Sequence, residues 1–460
     1  MNKLDFTNSN QKIHFIGIGG ISMSGLAQIL LKNGFSVSGS DSKKSALTDE
    51  LEAQGAKIFI GQRAGNITDD IDLVVYTSAI SEDNPELQAA KDAGIDTMVR
   101  ADFLGALMKN YPQAVCISGT HGKTTTTSLL SQIMVEAETD PTISVGGVLP
   151  IIGGNVRIGG SDLFITEACE YTNSFLSFFP TIAVVLNVQS DHLDFFKDLE
   201  DIRNSFRRFT HLLPEDGTLI INGEIDNLSF FTEGLSAKVL TFGLNGDFDF
   251  TAKNISYDKF ACAEYDLYQN GSFAAHVKLN LTGEHNVYNS ISALAVAVQL
   301  GIPVEKAAAS IGNFTGVDRR FQLKGEIAGV TIIDDYAHHP DEIRATLTAA
   351  RNYPHDRLVV VFQPHTYTRT KAFLEEFADA LSLADSVVLA EIYAARETDT
   401  LGISSADLQK LIQEKETDCY FFKTFDEIEN FLLENCVNGD LLITMGAGDV
   451  YIIGEKLLGQ

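Results

Sequence analysis

Short apolar runs alternate, through most of the 460 residues, with segments whose apolar positions return at helical spacing. That alternation predicts βαβ units and mostly parallel sheets, so the expected fold class is α/β. In a first part, strands are expected near 12–16, 35–38, 72–76 and 97–99, with helices between them. Asn110-Tyr111-Pro112 is a natural seam. A second part opens on the apolar run Ala114-Val-Cys-Ile-Ser118 and holds an antiparallel insertion over about 248–281. There Gln269-Asn-Gly-Ser272 predicts a hairpin turn between alternating segments. A third part has expected strands near 330–334, 358–362, 386–390 and 440–444. Three domains are therefore expected, 1–111, 112–316 and 317–460, the first and last being independent doubly wound sheets.

Composition narrows the class. With 45% hydrophobic residues the chain buries several ordinary cores. Its net charge of −28, from 62 acidic against 34 basic residues, argues against nucleic acid or an anionic membrane surface as partner. Anionic small molecules must then be held locally, by metals and backbone amides. Cys116, Cys169, Cys262, Cys419 and Cys436 share no metal-ligand spacing and read as reduced thiols. The first ten residues lack an apolar signal core, and no run approaches the roughly 18 apolar residues of a membrane span. A soluble, cytoplasmic protein without membrane insertion is expected.

The strongest chemical signal is Gly119-Thr120-His121-Gly122-Lys123-Thr124-Thr125-Thr126-Thr127, directly after the apolar run. A buried strand entering a glycine-rich turn, with a helix opening at Lys123, aims backbone N–H groups, a helix N-terminus and a lysine at one spot. Such a spot holds a polyphosphate, and the Thr124 hydroxyl suits its magnesium. The general phosphate-loop pattern wants glycine where Ile117 stands, so this is a shorter variant. The centre therefore reads as a P-loop ATPase domain.

A first glycine cluster, Gly17-Ile-Gly19-Gly20-Ile21-Ser22, ends the first strand and opens a helix running to Leu31. Asp41 follows at the end of the next strand, where a carboxylate reaches a ribose hydroxyl. The third glycine of the dinucleotide pattern is replaced by Ser22, so the signal favours a nucleotide diphosphate over a nicotinamide cofactor. A turn that only lets helix and strand pack is the plainer alternative.

Further polar groups sit at expected strand ends. The strand 162–166 runs into Glu167-Ala-Cys-Glu170-Tyr, well placed for magnesium beside a phosphate loop. The strand 182–187 precedes Asp191-His192-Leu-Asp194. Three strand ends thus bring Lys123 with Thr124, Glu170, and His192 to one edge. Hard cations prefer oxygen, so chemistry alone leaves His192 between a metal ligand and a capping group. The two aspartates fit helix capping equally well. His285 and Asn289 stand one turn apart at a helix start, where plain capping competes with contact to a planar base. Asp318-Arg319-Arg320-Phe321 suits phosphate or carboxylate recognition. Asp334-Asp335-Tyr336-Ala-His338-His339-Pro340 and Gln363-Pro-His365-Thr-Tyr367-Thr-Arg369 form a second polar face at strand ends. Gly446-Ala-Gly448-Asp449 is a further glycine turn, for packing or for a ligand.

These stretches, GIGGISMSG, GTHGKTTTT, EACEY, DHLD, HNVYNS, DRRF, DDYAHHP, QPHTYTR and GAGD, resemble those of the Mur ligase family, in the family's order and over nearly the whole chain. The resemblance implies a three-domain fold with Rossmann-like ends. It implies ATP cleavage to ADP and phosphate while a carboxylate on a UDP-linked sugar is joined to an amino acid through an acyl phosphate. UDP-N-acetylmuramate and L-alanine are the implied substrates, in cytoplasmic peptidoglycan synthesis. A recycling ligase that adds a tripeptide is the alternative within the class, and a nicotinamide oxidoreductase or an inactive UDP-sugar-binding relative are alternatives outside it.

By the same resemblance Gly119 to Thr125 hold the triphosphate, with Lys123 on its β- and γ-phosphates and Thr124 on the first magnesium. Glu170 bridges two magnesium ions and His192 ligates the second. His285 and Asn289 lie near adenine, Arg320 and Asp335 at the nucleotide. Gly17, Gly19, Gly20, Ile21, Ser22, Asp41 and Thr77-Ser78-Ala79 hold the UDP part. Tyr336, His338, His339 and Arg369 face the acyl group and L-alanine, Arg369 pairing with its carboxylate. Many relatives carry Glu-Ala-Asp-Glu-Ser-Asp where Glu167-Ala-Cys169-Glu170-Tyr171-Thr172 stands, so aspartates are missing at Cys169 and Thr172 and a serine at Tyr171. The position of a carbamylated lysine in several sister ligases falls on Arg207, so none is expected here. A monomer or homodimer that closes on its substrates is expected.

Overall fold

The computed structural model describes residues 8–77, 80–193, 195–395 and 397–460. The chain divides into two compact units. One runs through Val188 and takes in Arg203–Thr241; the other comprises Gln189–Ile202 and Phe242–Gln460.

The first unit begins with a parallel sheet of β1 (Lys12–Ile16), β2 (Ser36–Asp41), β3 (Lys57–Ile60), β4 (Leu73–Tyr76) and β5 (Asp96–Val99), in the order β3-β2-β1-β4-β5. Strand order reverses between β1 and β4, where open α/β sheets bind ligands beyond their carboxyl ends. A second sheet follows: β6 (Gln113–Ser118), β7 (Thr142–Leu149), β8 (Gly154–Arg157), β9 (Leu163–Glu167), β10 (Ile182–Val185), β11 (Thr218–Asn222) and β12 (Lys238–Gly243). Their order is β12-β11-β10-β6-β9-β7-β8, so β6 lies centrally between β10 and β9, parallel to both. Residues 114–117 of β6 are fully buried, which explains their unbroken apolar run.

The two sheets of this unit meet through the helix Arg100–Met108. A Cβ on Gly105 would lie 1.9 Å from the Ser177 carbonyl oxygen. Ser177 Oγ donates to Asp102 at 2.5 Å, and Lys109 Nζ stands 3.9 Å from the centre of the Phe179 ring. A Gly105→Ala substitution forces backbone apart at this contact, and overpacking of that kind costs about 1–3 kcal/mol. Thermal unfolding is expected several degrees lower, and an unchanged melting temperature contradicts the close approach.

The second unit contains β13 (Phe250–Tyr257), β14 (Cys262–Gln269) and β15 (Ser272–Thr282), paired antiparallel. The expected turn falls at Asn270-Gly271, both with positive φ. Its other sheet has β16 (Gln322–Ile327), β17 (Val330–Asp335), β18 (Arg357–Phe362), β19 (Ser386–Leu389), β20 (Asp418–Phe421) and β21 (Asp440–Met445), in the order β16-β17-β21-β18-β19-β20. All neighbours are parallel except β16, an antiparallel edge strand on β17. Val360, Phe362, Leu441 and Ile443 fill one core beside this sheet, and Val359, Val361 and Leu442 fill another. Among the described residues no helix is long and apolar enough to cross a membrane.

Candidate functional site

At the end of β6 the chain turns sharply. Gly122, at φ 87° and ψ −7°, is the N-cap of the helix Lys123–Glu136, a left-handed conformation that glycine adopts without a Cβ clash. No side chain caps this helix, and its first turn lacks acidic residues, so its N-terminus favours an anion. Asn187, after β10, clamps the loop from outside: its Oδ1 accepts from the His121 N–H at 2.8 Å and its Nδ2 donates to the His121 carbonyl at 3.0 Å. Thr120 N–H donates to the Asn187 carbonyl at 3.2 Å.

Lys123 Nζ donates to Glu170 Oε2 at 2.9 Å and turns back onto the Gly119 and Thr120 carbonyls at 2.5 and 3.1 Å. Burial works against its charge, but the Glu170 carboxylate outweighs it and holds the ammonium above the ordinary lysine value. Thr124 Oγ1 donates to Glu167 Oε2 at 3.1 Å, while Glu167 Oε1 accepts from Gly146 N–H at 2.6 Å. Thr125 is half-buried on the same first turn. A hydroxyl and two carboxylates make the oxygen set a hard cation takes, so these residues fit the expected magnesium. Glu167 belongs to the strand-end stretch expected to suit magnesium, although the resemblance singles out only Glu170 there; it stands at the end of β9, one strand from the phosphate loop.

Glu170 is 2% exposed and is followed by a tight turn. Thr172 and Asn173 both have positive φ, and Asn173 N–H donates to the Glu170 carbonyl at 2.8 Å. Burial pushes the neighbouring Cys169 thiol up to about 11, which leaves it inert near neutrality. Arg207 lies over the Phe230 ring at 4.9 Å, occupied in packing.

In the first sheet Gly17 and Ile18 donate their N–H groups to the Ser40 carbonyl, and Gly20 caps the helix Ile21–Lys32 without a side-chain hydrogen bond. Asp41 Oδ2 accepts from Gly19 N–H at 2.9 Å, so this carboxylate also shapes the glycine turn. Ile21 is exposed. Thr77 follows β4 and packs against Gly17. Ser78 and Ala79, also expected here, lie outside the described residues.

Asp191, His192, His338 and Arg369 belong to the second unit. Of the three strand ends expected to share an edge, the first unit itself assembles those carrying Lys123, Thr124 and Glu170. Arg369 Nη2 pairs with Asp191 Oδ1 at 3.4 Å, and Nη1 stands 3.4 Å from His365 Nδ1. Burial would raise the Asp191 carboxyl, but His192, Arg369 and His339 hold it far below the ordinary range. His192 has φ 54° and donates its N–H to Asp191 Oδ1 at 2.6 Å.

His338 Nδ1 lies 3.0 Å from the Tyr336 carbonyl and 3.2 Å from Glu342 Oε2. Two acceptors at Nδ1 place the proton there and leave Nε2 as the accepting nitrogen. Burial pushes the imidazole down to about 4, so it is neutral at physiological pH. His339 is 3% exposed, caps the helix Pro340–Ala350 by accepting from Asp341 N–H at 3.3 Å, and packs edge-on against Phe373.

The adjacent arginines divide. Arg319 donates to Asp334 Oδ2 at 3.1 Å and to the Gly446 carbonyl at 2.7 Å, fastening the segment before β16 to the ends of β17 and β21. Arg320 stacks over Tyr336 at 5.3 Å. Asp335 accepts from Phe321 N–H, Ala337 N–H and Thr346 Oγ1. Gln363 and Asp449 exchange two hydrogen bonds at 3.0 Å across the Gly446–Gly448 turn, which therefore has a packing role. Asn289 Nδ2 donates to Asn286 Oδ1 at 3.0 Å, and Asn286 Nδ2 contacts His285 Nε2 at 3.1 Å. Asn286, not anticipated, thus joins the two expected base-side residues.

Burial pushes the Asp335 carboxyl up to about 6, against the pull of Arg320. A raised carboxyl binds its proton more tightly when folded, so its contribution to stability falls as pH rises from about 4 to about 6. The change is at most about 3 kcal/mol. An Asp335→Asn variant is expected to gain that amount relative to the parent over this interval in urea unfolding. A pH-independent difference contradicts the raised value.

Three family models match in sequence order: the Mur ligase family catalytic domain over residues 12–112, the Mur ligase middle domain over 117–297, and the Mur ligase glutamate ligase domain over 319–448. The chain is 59% identical to the UDP-N-acetylmuramate–L-alanine ligase of Lachnospira eligens, covering 100% of both chains. It is 52% identical to the ligase of that name from Caldanaerobacter subterraneus subsp. tengcongensis, covering 98% of each. Among solved structures it is similar to the UDP-N-acetylmuramate-alanine ligase of Thermotoga maritima, with TM-score 0.82, 28% identity and coverage of 98% and 99%. A murein peptide ligase from Psychrobacter arcticus follows at TM-score 0.73 and 25% identity, covering 98% of each. A shortened phosphate loop with its carboxylates, three sheets in this order and matches across the whole length have one reading: the chain belongs to the Mur ligase family.

Proposed function

We propose that this protein is an ATP-dependent ligase that joins L-alanine to the lactoyl carboxylate of UDP-N-acetylmuramate, giving ADP and phosphate. What carries the reading is the cluster of Lys123, Thr124, Glu167 and Glu170 at the phosphate loop, in a chain matched end to end by ligases of that activity. A carboxylate is a poor electrophile at neutral pH. Transfer of the γ-phosphoryl group from ATP makes it an acyl phosphate, with ADP leaving. The amine of L-alanine then attacks the acyl carbon, and phosphate departs from the tetrahedral intermediate after the nitrogen loses a proton.

Phosphoryl transfer depends on positioning and charge. Lys123 holds the β- and γ-phosphates, exchanging its own loop carbonyls for phosphate oxygens, and Arg320 supplies further positive charge at the γ-phosphate. His285 and Asn289 serve the adenine. Thr124, Glu170 and His192 hold magnesium, to which Glu167 adds a carboxylate. Magnesium, when bound, neutralises phosphate charge that would otherwise repel the incoming carboxylate. The first sheet takes the UDP part through Gly17–Ser22, Asp41 and the 77–79 segment. Arg369 pairs with the carboxylate of L-alanine, and neutral His338 offers Nε2 to its amine. The assigned domains are 1–111 for the UDP-sugar, 112–316 for ATP and 317–460 for amino acid and adenosine. The UDP-linked substrate places the reaction in the cytoplasm.

The test is phosphate release from ATP with UDP-N-acetylmuramate and each amino acid in turn, and separately with L-alanyl tripeptide. Release that requires L-alanine is expected. Release indifferent to L-alanine, or faster with the tripeptide, overturns the reading in favour of the recycling ligase.

A further inference from the structure

Arg100 stands at the C-terminal end of β5 and opens the helix Arg100–Met108. Its guanidinium reaches back to the start of the helix Ile21–Lys32, where Nη1 donates to Ser22 Oγ at 2.9 Å. It thereby spans from the edge strand β5 to the turn after central β1, over the point where strand order reverses. The contact between Gly105 and Ser177 holds this helix in place. The ionisable neighbour that acts on Arg100 is the Cys169 thiol, which is neutral near pH 7. Among the described residues no carboxylate pairs with it. Burial pulls the guanidinium below its ordinary value, the mark of a desolvated cation without a counter-charge.

A chain of net charge −28 has ample carboxylates to pair a structural arginine. Here the side chain instead faces a hydroxyl at a glycine turn, and among the described residues four of its five donors have no acceptor. That arrangement is suited to an anion offering two oxygens side by side, such as a phosphate, which the planar guanidinium binds in a fork. Ser22, the residue that breaks the dinucleotide glycine pattern, supplies the hydroxyl that orients it.

We infer that Arg100 is a substrate-binding residue, positioned by Ser22, that grips the diphosphate of the nucleotide sugar. The inference rests on the assignment of the UDP part to the first sheet.

Calorimetric titration of the full-length protein with UDP and with UDP-N-acetylmuramate tests it. Arg100→Ala is expected to weaken both ligands by the same factor, roughly ten- to a hundredfold, the size of a lost charge-assisted hydrogen bond. Arg100→Lys keeps the charge and loses the fork, so it falls between, and ATP affinity is unchanged in either variant. Weakened binding of UDP-N-acetylmuramate with UDP unaffected overturns the diphosphate assignment. Equal binding by parent and variant overturns the role of Arg100 while the UDP reading stands. Failure of the parent itself to bind either ligand sinks the underlying reading. Should Arg100→Ala not fold, Ser22→Ala, which frees the guanidinium without removing it, is expected to weaken both ligands several-fold; no change overturns the positioning.

Discussion

Replacing Lys123 by alanine is expected to lower ligase turnover by about three orders of magnitude, the scale of losing a cation that stabilises a phosphoryl-transfer transition state. The loss has two sources in the geometry. Lys123 opens the helix at the phosphate loop and supplies that loop with a full positive charge. It is also the partner of Glu170, 2.9 Å away, whose side chain is 2% exposed. Without the ammonium, Glu170 loses this charge partner, and breaking such a buried pair from one side costs about 3–5 kcal/mol of stability. The two effects separate experimentally. Added magnesium and ATP should restore much of the melting temperature without restoring turnover. Lys123→Arg keeps the charge near Glu170 and should retain stability, while its bulk keeps the rate low. Turnover within tenfold of the parent in a folded Lys123→Ala protein removes the phosphate loop from the chemistry.

The phosphate loop and its helix were legible because the signal is local: a strand, glycines, a lysine and threonines in one stretch. The central strands of the parallel sheets were legible too, since strands buried on both faces read as unbroken apolar runs such as Leu358-Val-Val-Val-Phe362. Strands β3, β16 and β20 were not. Lys57–Ile60 and Asp418–Phe421 have four residues each, and Gln322–Ile327 alternates polar positions along a sheet edge. The pairing of Glu167 with Thr124 depends on β9 lying beside β6, a fact of strand order that spacing does not encode. The separate fates of Arg319 and Arg320 likewise follow from backbone: a left-handed Arg319 turns its side chain onto Asp334, whereas a dipeptide of two arginines offers no such distinction.

Arg369→Ala should be the most damaging single change in the second unit. The guanidinium is 12% exposed and holds Asp191, itself 8% exposed, at 3.4 Å. That separation is loose for a charged hydrogen bond, so a substrate carboxylate can take the guanidinium at modest cost. With Arg369 removed, kcat/KM for L-alanine is expected to fall by about a thousandfold, within the 2–5 kcal/mol that truncating a desolvated charge pair costs. The fall should appear mainly as a raised KM for L-alanine, with KM for ATP little changed. Stability should report the same pair with a definite sign. Asp191 has a depressed carboxyl, so its contribution is present above the unfolded value of about 4 and is lost as pH falls toward the lower folded value. Without Arg369 the folded value moves back up toward the ordinary one. The variant is then less stable than the parent at pH 7, and the gap closes on acidification as both carboxyls protonate. Arg369→Lys keeps the charge but not the planar fork, and should lie between parent and alanine variant in both measurements. A lysine variant equal to the parent in KM for L-alanine would assign Arg369 to general charge instead of carboxylate recognition. An alanine variant with unchanged KM would confine Arg369 to its pairing with Asp191.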